Sequence, residues 1–271
     1  GATAPGAENL MRPDADDYFS LGYVPLREQY DNSVSHALEY YTADYALSRF
    51  AAATGRADST LFAERAAGWH NYFDPELGVL RPRLPDGSFL TPFNPRQGEN
   101  FEPSPGFHEG NSWNYTFAIP HDVEGMIKAH GGKKEFVKRL QAVFDNGLYD
   151  PANEPDIIYP YLFSRIKGEE WRTHRIVGEL LDKYFTTAPD GIPGNEDCGT
   201  MSAWAIWSMM GMYPDTPGDP AFTLTVPRFD KITVKLDPEI WGKNYLEIKR
   251  RNAKAHSGRI SHDEMLRRYG K

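Results

Sequence analysis

Cysteine is nearly absent. A single residue, Cys198, in a chain of 271 excludes an internal disulfide framework and leaves the cellular compartment undecided. No apolar run approaches the roughly 20 residues that a membrane-spanning helix needs. No signal peptide is visible, and the opening residues Gly1-Ala2-Thr3-Ala4-Pro5-Gly6 read as a cleavage scar or the edge of a chain fragment. Clustered basic charge is lacking too. Thirty Lys and Arg stand against 38 Asp and Glu, a net charge of −8, which argues against nucleic acid or an anionic membrane as partner. No glycine-rich loop leads into a Lys-Ser or Lys-Thr pair, so nucleotide chemistry is not expected, and no G-x-S-x-G elbow is present. His70, His130, His174 and His256 are scattered without ligand spacing. Cys198 has no basic neighbours to make a thiolate, which leaves it a structural residue. Neither an internal repeat nor a low-complexity block is found.

Apolar and aromatic side chains, by contrast, are plentiful. Forty per cent hydrophobic and 13% aromatic residues are enough for one large domain or two ordinary ones. Six Trp and fifteen Tyr suit a protein that handles rings, sugar rings included, and also serve as ordinary core material. Residues 1–31 read as an extended lead-in. From Asn32 onward Val34, Ala37, Leu38, Tyr41, Tyr45 and Phe50 recur at three- and four-residue steps, as a core-facing helix does, up to Gly55. A second helix is expected over 58–72 with Leu61, Phe62, Ala66 and Trp69 inward. Residues 73–111 are irregular and proline-rich, yet hold Phe89, Phe93, Phe101 and Phe107; an ordered loop of this length is expected to cover a site. Helices follow at about 112–118, 121–131, 134–147, 157–167, 170–185 and 199–212. The loops at 31–33, 106–111, 150–156 and 189–199, between alternate helix pairs, are the ones rich in Gly, Pro, Asp and Asn, which suggests a ring of helical hairpins, an α/α toroid, with the site at one end. After Pro214 the pattern turns to period-two alternation at 222–226, 232–236 and 245–249. Three strands are too few to close a sheet and are expected to pair with strands from elsewhere.

Three acidic loops close the helical hairpins. In the first, F-H-E-G-N-S-W-N-Y (107–115), prolines before and glycines around Glu109 make a loop held in shape. Glu109 is either a proton donor, partly shielded from water so that it stays protonated, or a carboxylate that satisfies nearby backbone N–H groups. The second is Asn153-Glu154-Pro155-Asp156. Asp156 suits a helix cap, which explains Asn153 and Glu154 less well; oxygen-rich clusters of this kind also suit Ca²⁺. The third, Pro193–Gly199, opens the most apolar helix. Asp197 there is either its N-cap or a carboxylate facing Glu109 across a pocket, and paired carboxylates around a sugar-sized space are the apparatus of glycoside hydrolysis.

At these loops the sequence resembles glycoside hydrolase family 92, the calcium-dependent inverting exo-α-mannosidases. The matching stretches are G-Y-V-P (22–25), S-V-S-H-A-L-E-Y (33–40), H-E-G-N-S-W-N-Y (108–115), I-P-H-D-V (119–123), N-E-P (153–155) and G-N-E-D-C-G-T-M-S-A-W (194–204). G-M-Y-P (211–214), F-D-K-I-T-V (229–234) and I-S-H-D-E (260–264) follow in order. The resemblance implies Glu109 as general acid and Asp197 as general base. It implies Asn153 and Glu154 as the metal-contacting pair, with Ca²⁺ gripping mannose hydroxyls. His108, Asn111, Trp113 and Glu154 are the expected substrate contacts. Two departures stand out. Asn195 occupies a place where many members carry an acid, leaving Asp197, or less favourably Glu196, as base. Asp156-Ile157 replaces a polar Ser-His pair, which bears on linkage preference and metal ligation. The resemblance also implies that this chain is the C-terminal half of a longer catalytic region. Residues 1–214 would be part of an (α/α)6 toroid and 215–271 strands completing a β-sandwich supplied by an N-terminal half, a second chain or segment needed for folding. The expected function is hydrolysis of terminal α-mannosides, with the α-1,2 linkage as the candidate, at a secreted, periplasmic or cell-surface location. The rivals are a non-catalytic mannoside-binding fragment and a relative acting on phosphomannosyl-capped glycans.

Overall fold

The computed structural model describes residues 12–99, 102–251 and 256–271. Phe101 and the first eleven residues of the expected lead-in lie outside them. The chain is mainly helical with a few small sheets, and divides into two compact units, Gly1–Tyr149 and Asp150–Lys271.

In the first unit the rest of the lead-in is not extended throughout: Ala15–Leu21 forms helix α1, closed by Gly22 in the left-handed conformation. At seven residues it is too short to show a helical period. What fixes it is a buried polar contact: Tyr18 donates to Asp44 at 2.8 Å, and Arg12 pairs with the same carboxylate at 3.0 Å. Helix α2 (Ser33–Ala53) buries Val34, Ala37, Leu38 and Tyr41 as its spacing predicts. Helix α3 (Ser59–Ala66) packs back on it and runs into a 3-10 turn, Ala67–Asn71, that carries the fully buried Trp69. Two expected inward residues face out, Phe50 at 64% and Leu61 at 46% exposure. They lie where no described element covers the far end of the α2–α3 pair.

The irregular passage contains a short antiparallel hairpin, β1 (Phe73–Asp74) with β2 (Val79–Leu80). Leu80 donates its N–H to Thr116 Oγ1 and accepts from Ser112 Oγ. The hairpin thus pins helix α4 (Ser112–Thr116), which follows the Glu109 loop. Helices α5 (Val123–Ala129) and α6 (Lys133–Asp145) complete the unit, packing Met126, Phe136 and Leu140 inward.

In the second unit the helix expected over 157–167 breaks into α7 (Tyr159–Leu162) and a 3-10 turn, Phe163–Arg165. Helices α8 (Glu170–Tyr184) and α9 (Thr200–Met210) follow. All three expected strands form, as β4 (Ala221–Leu224), β5 (Lys231–Lys235) and β6 (Tyr245–Lys249). They do find partners within the chain. β5 pairs with β6, and β4 lies between β3 (Met212–Tyr213) and β7 (Arg259–Ser261), strands too short to show a period. Helices α10 (Pro238–Trp241) and α11 (His262–Tyr269) were not expected. Ser261 followed by Glu264 is a capping signal, and Ser261 Oγ does accept the Glu264 N–H at 3.1 Å. Met212, Phe222, Leu224, Leu246, Ile248, Ile260, Met265 and Tyr269 form one apolar cluster. Buried Asp215 braces the unit by pairing with Arg165 at 3.3 Å and Arg259 at 3.1 Å and accepting from Thr223 at 2.6 Å.

Candidate active site

The Glu109 loop is built onto the first turn of α2. A helix N-terminus leaves backbone N–H groups without internal acceptors, and here the Gly106 carbonyl takes two of them, from Val34 at 2.9 Å and Ser35 at 3.1 Å. Gly106 in turn donates to Asp31 O at 2.8 Å. Its φ of 85° favours glycine, and a Cβ there would meet Pro82 Cγ at 2.7 Å. Ser35 Oγ accepts the His108 N–H at 2.9 Å, and Tyr115 OH donates to the His108 carbonyl at 2.6 Å. Asn32 Nδ2 lies 3.2 Å from His108 Nδ1. The other ring nitrogen, Nε2, lies 3.8 Å from Glu109 Oε1.

Held on both sides, Glu109 adopts φ 47°, a left-handed conformation uncommon outside glycine. Its side chain is 54% exposed, so the loop does not supply the shielding expected of it. Phe107 turns into the core and the carboxylate turns outward. Asn111 is buried and its Oδ1 accepts the Trp113 N–H at 2.8 Å, while Asn114 Oδ1 accepts the Asn111 N–H at 3.0 Å. This reciprocal cap starts α4 and leaves Trp113 half-buried on the first turn.

In the second unit Asn153 is buried and Glu154 half-buried, at the start of the 3-10 turn Glu154–Asp156. Asp156 caps no helix. It is fully buried, and its Oδ2 accepts the Asp150 N–H at 2.9 Å, closing the loop on itself. A Cβ on Gly194 would come within 2.4 Å of Ala152 O, so the 150–156 loop and the 193–199 loop press together there. Asn153, Glu154 and the Asp197 loop are thereby neighbours.

Glu196, Asp197, Cys198 and Gly199 have φ values of 67°, 31°, 56° and 86°. A left-handed run of this kind cannot continue as helix, and it turns the chain sharply into α9, whose N-cap is Gly199. Capping, one of the two readings of Asp197, falls instead to its neighbour. Glu196 Oε1 accepts from Ser202 N at 3.2 Å and Oε2 from Ser202 Oγ at 2.8 Å. The Asp197 carbonyl accepts from Thr200 Oγ1 at 2.7 Å. The Asp197 carboxylate is exposed and makes no hydrogen bond among the described residues. Cys198 is exposed as well, and so is not a core thiol.

The structure thus groups His108, Glu109, Asn111 and Trp113 in one unit, and Asn153, Glu154 and Asp197 in the other. No group of three or more His, Cys, Asp or Glu suited to a metal occurs among the described residues. Asn153 and Glu154 fit Ca²⁺ in kind, as oxygen donors, but cover only part of the six to eight or so ligands it takes. Asn32 and Ser35 are missed by sequence reading. The signal available was a polar Asp-Asn-Ser at the entrance to α2.

Residues 2–264 match the glycosyl hydrolase family 92 catalytic domain. A family 92 α-mannosidase of Bacteroides thetaiotaomicron, solved with mannoimidazole, is similar with a TM-score of 0.81 at 29% identity, over 92% of this chain and 36% of that one. A family 92 inverting mannosidase from strain VPI-5482 of the same organism gives 0.82 at 26% identity, over 96% and 39%. A protein of Arthroderma benhamiae described as an uncharacterized secreted glycosidase is 25% identical over 246 residues, 80% of this chain and 31% of that protein. The chain therefore spans about a third of the length of these relatives, 31–39%. With the match running through both units and all three acidic loops, the chain belongs to glycosyl hydrolase family 92.

Proposed function

We propose that the protein carrying this chain is an exo-acting α-mannosidase that inverts configuration and is assisted by Ca²⁺. Glu109 protonates the glycosidic oxygen as it leaves, and Asp197 takes a proton from the water that attacks the opposite face of the ring. The observation that carries this reading is the division of labour between adjacent acids: Glu196 holds α9 while the Asp197 carboxylate is left uncommitted. Inversion requires the two carboxyl groups to stand roughly 6.5–9.5 Å apart, leaving room for one water. His108 presents its Nε2 on the Glu109 side, and Trp113 supplies an apolar wall for a sugar ring. Asn153 and Glu154 would hold Ca²⁺, which when bound supplies positive charge to vicinal sugar hydroxyls and favours a flattened ring.

In the intact assembly residues 1–214 belong to an (α/α)6 toroid, and 215–271 join a β-sandwich furnished by the remaining polypeptide. The outward-facing Leu47, Phe50 and Leu61 support a partner surface on the α2–α3 pair. Location outside the cytoplasm is supported by the Arthroderma relative described as secreted.

The test is Glu109→Gln in the intact protein, assayed on α-1,2-mannobiose and on aryl α-mannosides. Hydrolysis is lost while mannoside binding is kept; turnover equal to the parent removes Glu109 from the mechanism. Removal of metal by EDTA stops hydrolysis and added Ca²⁺ restores it, and indifference to both refutes the metal claim. Binding of mannosides without any turnover by the parent protein would favour a non-catalytic glycan-binding role.

A further inference from the structure

We propose that Glu39, on α2, is a substrate-binding residue of the same site, hydrogen-bonding a hydroxyl of the sugar presented to Glu109. The inference rests on the mannosidase reading above and adds to it a side chain with no assigned role.

Residues spaced by three, four and seven share one face of a helix. Asn32, Ser35 and Glu39 are such a set at the start of α2. The first two touch His108, Asn32 through its side-chain amide and Ser35 through its hydroxyl. The loop that presents Glu109 therefore sits over this face, and Glu39 is the next side chain down, about 6 Å further along the axis at 1.5 Å per residue.

Glu39 is also uncommitted. It is exposed, and no hydrogen bond or ion pair joins it to any described residue. Enough protein nevertheless surrounds it for desolvation alone to push its carboxyl above the ordinary value. The carboxyl is thus accessible at a crowded place. On an ordinary helix surface, water would solvate such a group fully, and a carboxyl without a partner at a crowded place is unfavourable unless a donor reaches it. A sugar hydroxyl is the complementary occupant: it donates to the carboxylate and brings no charge that would itself need neutralising. Further along the same face Ala43, Leu47 and Phe50 are exposed and apolar, so the competing occupant is a packed segment of polypeptide.

The experiment uses the intact protein and measures binding of methyl α-mannoside and its 2-, 3-, 4- and 6-deoxy analogues by calorimetry, with hydrolysis of the matching aryl mannosides alongside. For the parent protein one deoxy analogue binds about tenfold more weakly than methyl α-mannoside. Glu39→Ala weakens methyl α-mannoside by the same factor and does not further weaken that analogue, whereas Glu39→Gln restores part of the loss. The inference is overturned if Glu39→Ala binds the whole series like the parent. It is equally overturned if the variant weakens every analogue alike with a fall in Tm, the outcome for a residue packed under another segment. A parent protein that neither binds nor hydrolyses any mannoside instead refutes the proposed function, and is recognised without any variant.

Discussion

Glu196 and Asp197 are adjacent acids of the same charge, and the structure assigns them opposite consequences on substitution. Glu196 accepts two hydrogen bonds from Ser202 at the start of α9. Loss of a capping acceptor at a half-exposed position costs about 1–2 kcal/mol. For a chain of this size each kcal/mol moves Tm by about 2–4 °C, so Glu196→Ala lowers it by about 2–8 °C. Asp197→Asn removes a charge but no hydrogen bond, and Asn tolerates the left-handed backbone as well as Asp does. Its stability stays within about 0.5 kcal/mol of the parent, while loss of a general base lowers kcat by about 10²–10⁴. Differential scanning calorimetry and initial rates on an α-mannoside, run on the two variants side by side, read both effects. The reasoning is refuted if Asp197→Asn melts as early as Glu196→Ala, or turns over substrate at the parent rate.

Three further outcomes follow from the first unit. Ser35→Ala deprives the His108 N–H of its acceptor, which costs roughly 1–2 kcal/mol and lowers kcat through a looser Glu109; a fall in Tm with unchanged kcat would reject the positioning part. Asp44→Ala leaves the guanidinium of Arg12 and the hydroxyl of Tyr18 without their shared buried acceptor, and urea unfolding reports a loss of about 3–5 kcal/mol. His130 is buried among Phe73, Phe117 and Phe136, and burial lowers its pKa from the ordinary 6.5. The unfolded chain therefore binds a proton that the folded chain refuses, so stability is present above pH 6.5 and lost as pH falls below it. The urea midpoint is lower at pH 5 than at pH 8, and His130→Phe narrows that gap; an equal gap in the variant assigns the effect elsewhere.

Much of the helical order was legible because amphipathic spacing reports local burial. Val34, Ala37, Leu38 and Tyr41 are inward for that reason. The same spacing misplaced Phe50 and Leu61, since periodicity says which residues share a face but not whether another element covers it. Helix α1 escaped notice because Tyr18, Asp44 and Arg12 fix it through contacts between distant residues. Strands β3 and β7 are too short to show alternation, so the partners of β4 were not legible. The acidic loops were visible as composition, yet the assignment of roles inside them was not. Only coordinates separate Glu196, which bonds Ser202, from Asp197, which does not, or turn Asp156 from a helix cap into the clasp of its own loop.

The exposed thiol at position 198 has a practical consequence. It is the sole cysteine of the sequence and adjoins the carboxylate assigned to water activation. A nitroxide or fluorophore attached there by maleimide would report on the mobility and ligand response of that turn, with no second label elsewhere in the chain to blur the signal.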